Sequence, residues 1–77
     1  MTRIPVTTSE DLRKLDEAEV LEGYLDGRAD EPEPRGNRSR AYWHGWRNGM
    51  VDGGHQAIDG AQMVLAHAVA PGGKLTL

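Results

Sequence analysis

The chain predicts an all-α fold: a small helical hairpin, with helices over about 9–29 and 38–52, then a third apolar helix over about 56–69. Three observations predict it. Two glycine-aromatic cassettes, GYLDGRAD at 23–30 and GWRNGMVD at 45–52, repeat 22 residues apart, so Gly23 aligns with Gly45, Tyr24 with Trp46, Gly27 with Gly49 and Asp30 with Asp52. Glycine inside a helix costs about 1 kcal/mol relative to alanine, so glycines at helical spacing mark backbones packed close together. Apolar residues in both flanking segments recur in steps of three and four, the period of a helix face. Between the cassettes DEPEPRGN, residues 30–37, holds Pro32, Pro34 and Gly36, none of which suits a continuing helix.

The elements follow in order. Residues 1–8 read as extended, because Ile4, Val6 and the threonines favour strand geometry and Pro5 excludes a central helix position. Thr8 or Ser9 caps the first helix, with Glu10 and Asp11 in its first turn and Glu10–Lys14 as an i, i+4 pair. Leu15, Ala18, Leu21, Leu25 and Ala29 form its apolar face, widened by Leu12 and Tyr24. The 30–37 connection is long enough to return a second helix antiparallel to the first, with Asn37 or Ser39 as its cap. There Gly45, Gly49, Gly53, Ala57 and Ala61 make a ridge of small residues beside a large ridge of Tyr42, Trp46 and Met50. Trp43, one step round, faces solvent or a partner. Gly53-Gly54 breaks the helix. In the third helix Ile58, Ala61, Leu65, Ala68 and Val69 share a face and Met63, Val64 and Ala66 make the other side apolar, which implies a second neighbour and self-association. Pro71-Gly72-Gly73 ends it, and 71–77 reads as an extended or disordered tail.

Seventy-seven residues make a single small domain, 1–77, with a core near the lower limit for independent stability. There is no cysteine to staple it, so a homo-oligomer or a larger partner is the expected source of further stability. No run approaches the roughly 20 apolar residues that span a bilayer, and no secretory h-region opens the chain, so the expected compartment is the cytoplasm. The net charge of −3 is unevenly placed: residues 1–33 hold ten acids against four bases, whereas 34–51 hold Arg35, Arg38, Arg40 and Arg47 and no acid. Complementarity within the chain or a dimer, a small phosphate-binding patch, or an acidic face for a basic partner would each use that asymmetry.

Catalysis has little to work with. His44, His55 and His67 stand 11 and 12 residues apart, without an i, i+4 pair or an HExxH arrangement, so no metal site is expected. The carboxylates Glu19, Glu22 and Asp26 form a stripe on the first helix, with no sign of the asymmetric burial that separates an acid from a base. The glycines lack the strand and the trailing Lys-Ser/Thr of a phosphate loop. The expectation is a protein that is not an enzyme and takes no cofactor. Nucleic-acid binding has a better basis: Arg35, Arg38, Arg40 and Arg47 cluster around a helix start, with Tyr42, Trp43 and Trp46 near enough to stack on bases. Core packing is the competing use of Tyr42 and Trp46.

Residues 22–52 also resemble the ribosome modulation factor family. The shared pattern is Glu22-Gly23-Tyr24 with Gly27, then Arg38-Ser39, Tyr42, Gly45-Trp46-Arg47 and Met50. That family is basic and joins its helices through a Cys-Pro-Tyr segment; this chain is acidic and has DEPEPRGN there. The resemblance implies a helical hairpin, a small regulatory protein of translation and contact with the ribosome or its RNA, with Arg38, Trp46 and Arg47 as carried-over contacts. The alternative is an acidic, phage-type inhibitor, similar in size and charge to anti-CRISPR proteins. It would block a nucleic-acid-binding complex by protein–protein contact, with Glu19, Glu22, Asp26 and Asp30 in place of phosphates. In either case Gly23, Gly27, Gly45, Gly49 and Gly53 serve helix packing.

Overall fold

The computed structural model describes residues 4–69, with side chains through 68. Residues 1–3 and the tail expected at 71–77 lie outside the described residues. The described chain is all-helical: α1 (Ser9–Arg13), α2 (Glu17–Arg28), α3 (Arg40–Asp52) and α4 (Gly60–Val69). Residues 4–7 are neither helix nor strand.

The first helix expected over 9–29 is two helices. Thr8 caps α1, its hydroxyl accepting from the Asp11 amide at 3.1 Å. After barely more than a turn Asp16 starts again as a cap, its carboxylate accepting from the Glu19 amide at 3.1 Å. An aspartate competes with the helical backbone when it stands inside a helix and stabilises one when it stands at the start, so the chain breaks at residues 14–16. The Glu10–Lys14 pair expected on an unbroken helix is not made. At its other end α2 closes by a Schellman motif: the Glu31 amide donates to Asp26 O and the Asp30 amide to Gly27 O, both at 3.0 Å. Asp30 takes the left-handed position of that motif, with φ 63°.

The second helix does not return antiparallel. α2 and α3 run side by side in the same direction, cassette against cassette in register. A Cβ on Gly23 would land on the Tyr42 carbonyl oxygen and 2.9 Å from Trp46 N; one on Gly45 would land on the Val20 carbonyl oxygen and 2.9 Å from Tyr24 N. Four residues on, Gly27 meets the Trp46 carbonyl and Met50 N, and Gly49 meets the Tyr24 carbonyl and Arg28 N. In each case one helix's glycine lies against residues −3 and +1 of its counterpart, so the 22-residue repeat is expressed as a pseudo-two-fold axis along the pair. The glycine Cα hydrogens face carbonyl oxygens across this seam, a contact that any side chain would abolish.

Parallel packing requires the connection to travel back the length of α2, about 18 Å at 1.5 Å per residue. Residues 31–35 do this as a strap free of turns, which Pro32 and Pro34 favour because proline-rich chain rises about 3.1 Å per residue, and the chain turns at 36–38 to enter α3. The strap lies along α3: Trp46 Nε1 donates to Glu31 O at 2.8 Å, and Trp43 Nε1 to a Glu33 carboxylate oxygen at 3.3 Å. Ser39 then caps α3, accepting from the Tyr42 amide at 3.1 Å. Tyr42, Trp46 and Met50 form the buried cluster beside the strap, with Trp43 packed against it.

α3 ends at the glycine pair by a second Schellman motif, His55 N to Met50 O at 2.8 Å and Gly54 N to Val51 O at 3.0 Å, with Gly54 at φ 79°. The third helix begins at Gly60 rather than near 56. Asp59 and Gln62 make a reciprocal cap there, Gln62 N donating to Asp59 Oδ1 at 2.8 Å and Asp59 N to Gln62 Oε1 at 3.0 Å. The Gln62 amide also donates to Asn48 Oδ1 at 3.3 Å, tying α4 to α3 through buried polar side chains.

The apolar stripe expected to be the core face of the first helix points outward. Val20, Gly23 and Gly27 are buried, whereas Ala18 and Ala29 are exposed and Leu21 and Leu25 are 49% and 55% exposed. Leucines would hold two helix axes roughly 8–10 Å apart, so the closer approach that glycine allows selects the glycine face instead.

Candidate interaction surface

The expected contact residues begin with the arginines, and Arg38, Arg40 and Arg47 each pair with a carboxylate of the chain. Arg40, at the start of α3, forks onto Asp11 with Nη1–Oδ1 2.8 Å and Nη2–Oδ2 2.6 Å, while its Nε donates to Ile4 O at 2.8 Å. That fork pins α1 to α3 and holds the Asp11 carboxyl below its usual pKa. Arg38 pairs with Glu22 at 2.9 Å and lies 3.8 Å from the Tyr42 ring centroid. Arg47 is paired with Asp59, just before α4, and its guanidinium stands 4.7 Å from the Trp43 ring centroid. Burial lowers the Arg47 pKa from its ordinary value, with Glu33 acting in the opposite sense. Arg35 is exposed on the strap. Trp46 is 4% exposed, and Trp43 is half-buried with Arg47 over its ring. The chain's charge asymmetry is therefore used largely inside the molecule, to fasten α3 to its neighbours.

The acidic set divides in the same way. Glu22 is closed by Arg38. Asp26 accepts a hydrogen bond from the Tyr42 hydroxyl, whose pKa burial and that carboxylate push up to about 12. Asp30 is the left-handed stop residue of α2 and stands 3.9 Å from His55 Nδ1. Glu19 alone of the four is exposed with no side-chain partner among the described residues. Glu10, Glu17 and Glu31 share that condition and were not among the expected contact residues; their positions in first turns and just past a helix end were the available signal.

The glycines Gly23, Gly27, Gly45 and Gly49 form the α2–α3 seam. Gly53 stands at its end, where a Cβ would come 3.0 Å from Arg28 O and 2.9 Å from the His55 ring. Gly45 and Gly49 are thus occupied by α2 and offer no surface to a second copy. Tyr24 and Trp46, equivalent in the repeat, each tie their helix to the far end of the other: the Tyr24 hydroxyl donates to Asp52 at 2.8 Å, as Trp46 does to Glu31.

Sequence reasoning missed the polar joint between α3 and α4. His44 and Asn48 are 5% and 2% exposed, 3.3 Å apart between His44 Nε2 and Asn48 Nδ2, and Asn48 continues to Gln62. Desolvation, then Arg47 and Arg40, lowers the His44 pKa to about 4. The D-x-x-Q spacing of Asp59 and Gln62 announced the α4 cap, but nothing local announced Asn48. His55 pairs with Arg28 O at 3.0 Å, and His67 is exposed. Among the described residues no three His, Asp or Glu side chains converge as a metal site, and no helix is long and apolar enough to cross a membrane. Comparison with family models, curated proteins and solved structures finds no match for the chain.

Proposed function

We propose that the protein is a small non-enzymatic regulatory factor that works in the cytoplasm by protein–protein contact, presenting the unpaired carboxylates of α1 and α2 to a basic protein of a nucleic-acid-handling assembly. The observation that carries this reading is that Arg38, Arg40 and Arg47 are closed by Glu22, Asp11 and Asp59, while Glu10, Glu17 and Glu19 are exposed and, among the described residues, have no side-chain partner, with Arg13 and Lys14 the exposed bases beside them. Phosphate affinity depends on the number of cations that can be neutralised against it, and paired arginines contribute little. Unpaired carboxylates steer an oppositely charged protein and set its register.

Association with the ribosome or its RNA is the second reading. It is favoured by the residues shared with the ribosome modulation factor family, since Gly23, Gly27, Gly45, Trp46 and Met50 are the ones that build the seam and its buried cluster. A shared seam argues for a shared scaffold. The surface contacts depend instead on Arg35 and Arg38 beside the α3 start. One experiment separates the two. The tagged protein is captured from lysate and sedimented with and without ribonuclease, alongside Glu10→Lys/Glu19→Lys and Arg35→Gln/Arg38→Gln variants. Protein contact predicts ribonuclease-resistant capture of a basic protein, lost by about tenfold or more in the carboxylate variant and retained in the arginine variant. Capture that ribonuclease or the arginine change abolishes would contradict it and favour the ribosomal reading.

A further inference from the structure

The buried side chains that join α3 to α4 form a hydrogen-bond chain with a fixed direction. Its outer end is a backbone amide: Asp59 N–H, which can only donate, gives its proton to Gln62 Oε1 at 3.0 Å. With its oxygen engaged there, Gln62 presents Nε2 to Asn48 and donates to Oδ1 at 3.3 Å. Asn48 is left with Nδ2 for His44, 3.3 Å from Nε2. That ring nitrogen therefore accepts, and the proton of the neutral imidazole sits on Nδ1. His44, Asn48 and Gln62 are 5%, 2% and 6% exposed, so a misdirected group among them carries a desolvation cost.

We propose that His44 is a proton-operated latch for α4: a proton on its Nε2 cannot be accommodated without reversing Asn48 and then Gln62, which opens the α4 cap. Protonated Nε2 faces the Asn48 Nδ2 donor. Turning Asn48 relieves that clash and sets its Nδ2 against Gln62 Nε2; turning Gln62 sets its Nε2 against the Asp59 N–H. One donor–donor contact stays buried at every step until α4 leaves. The charged groups around the ring set when this happens. Arg47 and Arg40 on α3 oppose a proton there and Asp11 on α1 favours one, while Arg47 is itself paired with Asp59 and drawn by Glu33. Residues 4–8 carry no titratable side chain, and His67, the titratable group of α4, is exposed. Release uncovers Leu65 and Ala66, which are 4% and 3% exposed when α4 is docked. The latch goes beyond the proposed function and is independent of the Glu10 and Glu19 contact.

The test reads ring tautomers and amide exchange by nuclear magnetic resonance on the full chain. At about pH 8 the unchanged chain is expected to hold the His44 proton on Nδ1. Gln62→Glu reverses the relay: a carboxylate accepts from both the Asp59 amide and Asn48 Nδ2, so Asn48 Oδ1 faces the ring and the proton of the neutral imidazole moves to Nε2. Between about pH 6.5 and about pH 5 the protection of the Leu65 and Ala66 amides in the unchanged chain falls by about tenfold or more, ahead of the Trp46 and Met50 amides at the α2–α3 seam. His44→Gln offers Asn48 an acceptor that takes no proton, and it keeps that protection. Loss driven by another acid of the joint, Asp59 included, would persist in this variant. A proton on Nε2 in the unchanged chain, a tautomer unmoved by Gln62→Glu, α4 and seam amides that lose protection together, or an equal loss in His44→Gln overturns the proposal. The tautomer and exchange of the unchanged chain decide even where a variant does not fold.

Discussion

At the scale of single residues the fold turns on four glycines whose missing side chains are occupied by another helix's backbone. Gly45→Ala is the sharpest test, because helix propensity and packing predict opposite signs. Propensity alone would stabilise α3 by up to about 1 kcal/mol. The added Cβ, however, meets the Val20 carbonyl, which is backbone and cannot rotate away, so the helices must part. We expect a net loss of about 1–3 kcal/mol or more in urea denaturation. Gly60→Ala on α4, with nothing within 4 Å of its Cβ, should be neutral or slightly stabilising. Equal effects at the two positions would remove the packing account. The glycine spacing made the close approach legible in the sequence. It left direction open, because glycines at i and i+4 suit parallel and antiparallel neighbours alike. The leucine stripe misled for a related reason: periodicity shows which residues share a face, and the approach distance decides which face is covered.

At the scale of elements the ends were written more clearly than the periodicity. Asp16 with Glu19 and Asp59 with Gln62 both have the spacing of a capping box, and they mark where α2 and α4 begin. Continuous helical periodicity across 9–29 obscured the first and the apolar run from 56 the second. What no local pattern showed is how α4 is held, since Arg47–Asp59 and Asn48–Gln62 join residues 12 and 14 apart. That joint carries a pH dependence. His44 has an ordinary pKa of 6.5 and a folded value of about 4, so protons bind the unfolded chain more readily. Its contribution is complete above about pH 6.5, falls as the pH drops towards 4, and is lost below that. The span corresponds to about 3 kcal/mol at most. Stability measured across that window should fall, and His44→Gln should flatten the fall; an unchanged slope in the variant would assign the pH dependence elsewhere.

At the scale of the whole molecule the repeat, the strap and the charges fit one another. Two like cassettes pack as a parallel pair about a pseudo-two-fold axis, so the chain must double back between them, and the proline-rich segment supplies that length. Trp43 and Trp46 fasten the strap, and Arg38, Arg40 and Arg47, which sequence position alone offers to nucleic acid, fasten α3 to α2, α1 and the segment before α4. Glu10, Glu17, Glu19 and Glu31 stay exposed, together with Arg13, Lys14 and Arg28. The central claim is the in-register, same-direction seam, and nuclear Overhauser effects across it test that most directly. Parallel packing predicts cross-peaks from Gly23 Hα to the Trp46 amide, Gly27 Hα to the Met50 amide, Gly45 Hα to the Tyr24 amide and Gly49 Hα to the Arg28 amide. An antiparallel pair would instead bring Gly23 near the end of the second helix and Gly27 near its start, and cross-peaks in that order, or none between the glycines and the facing helix, would contradict the account.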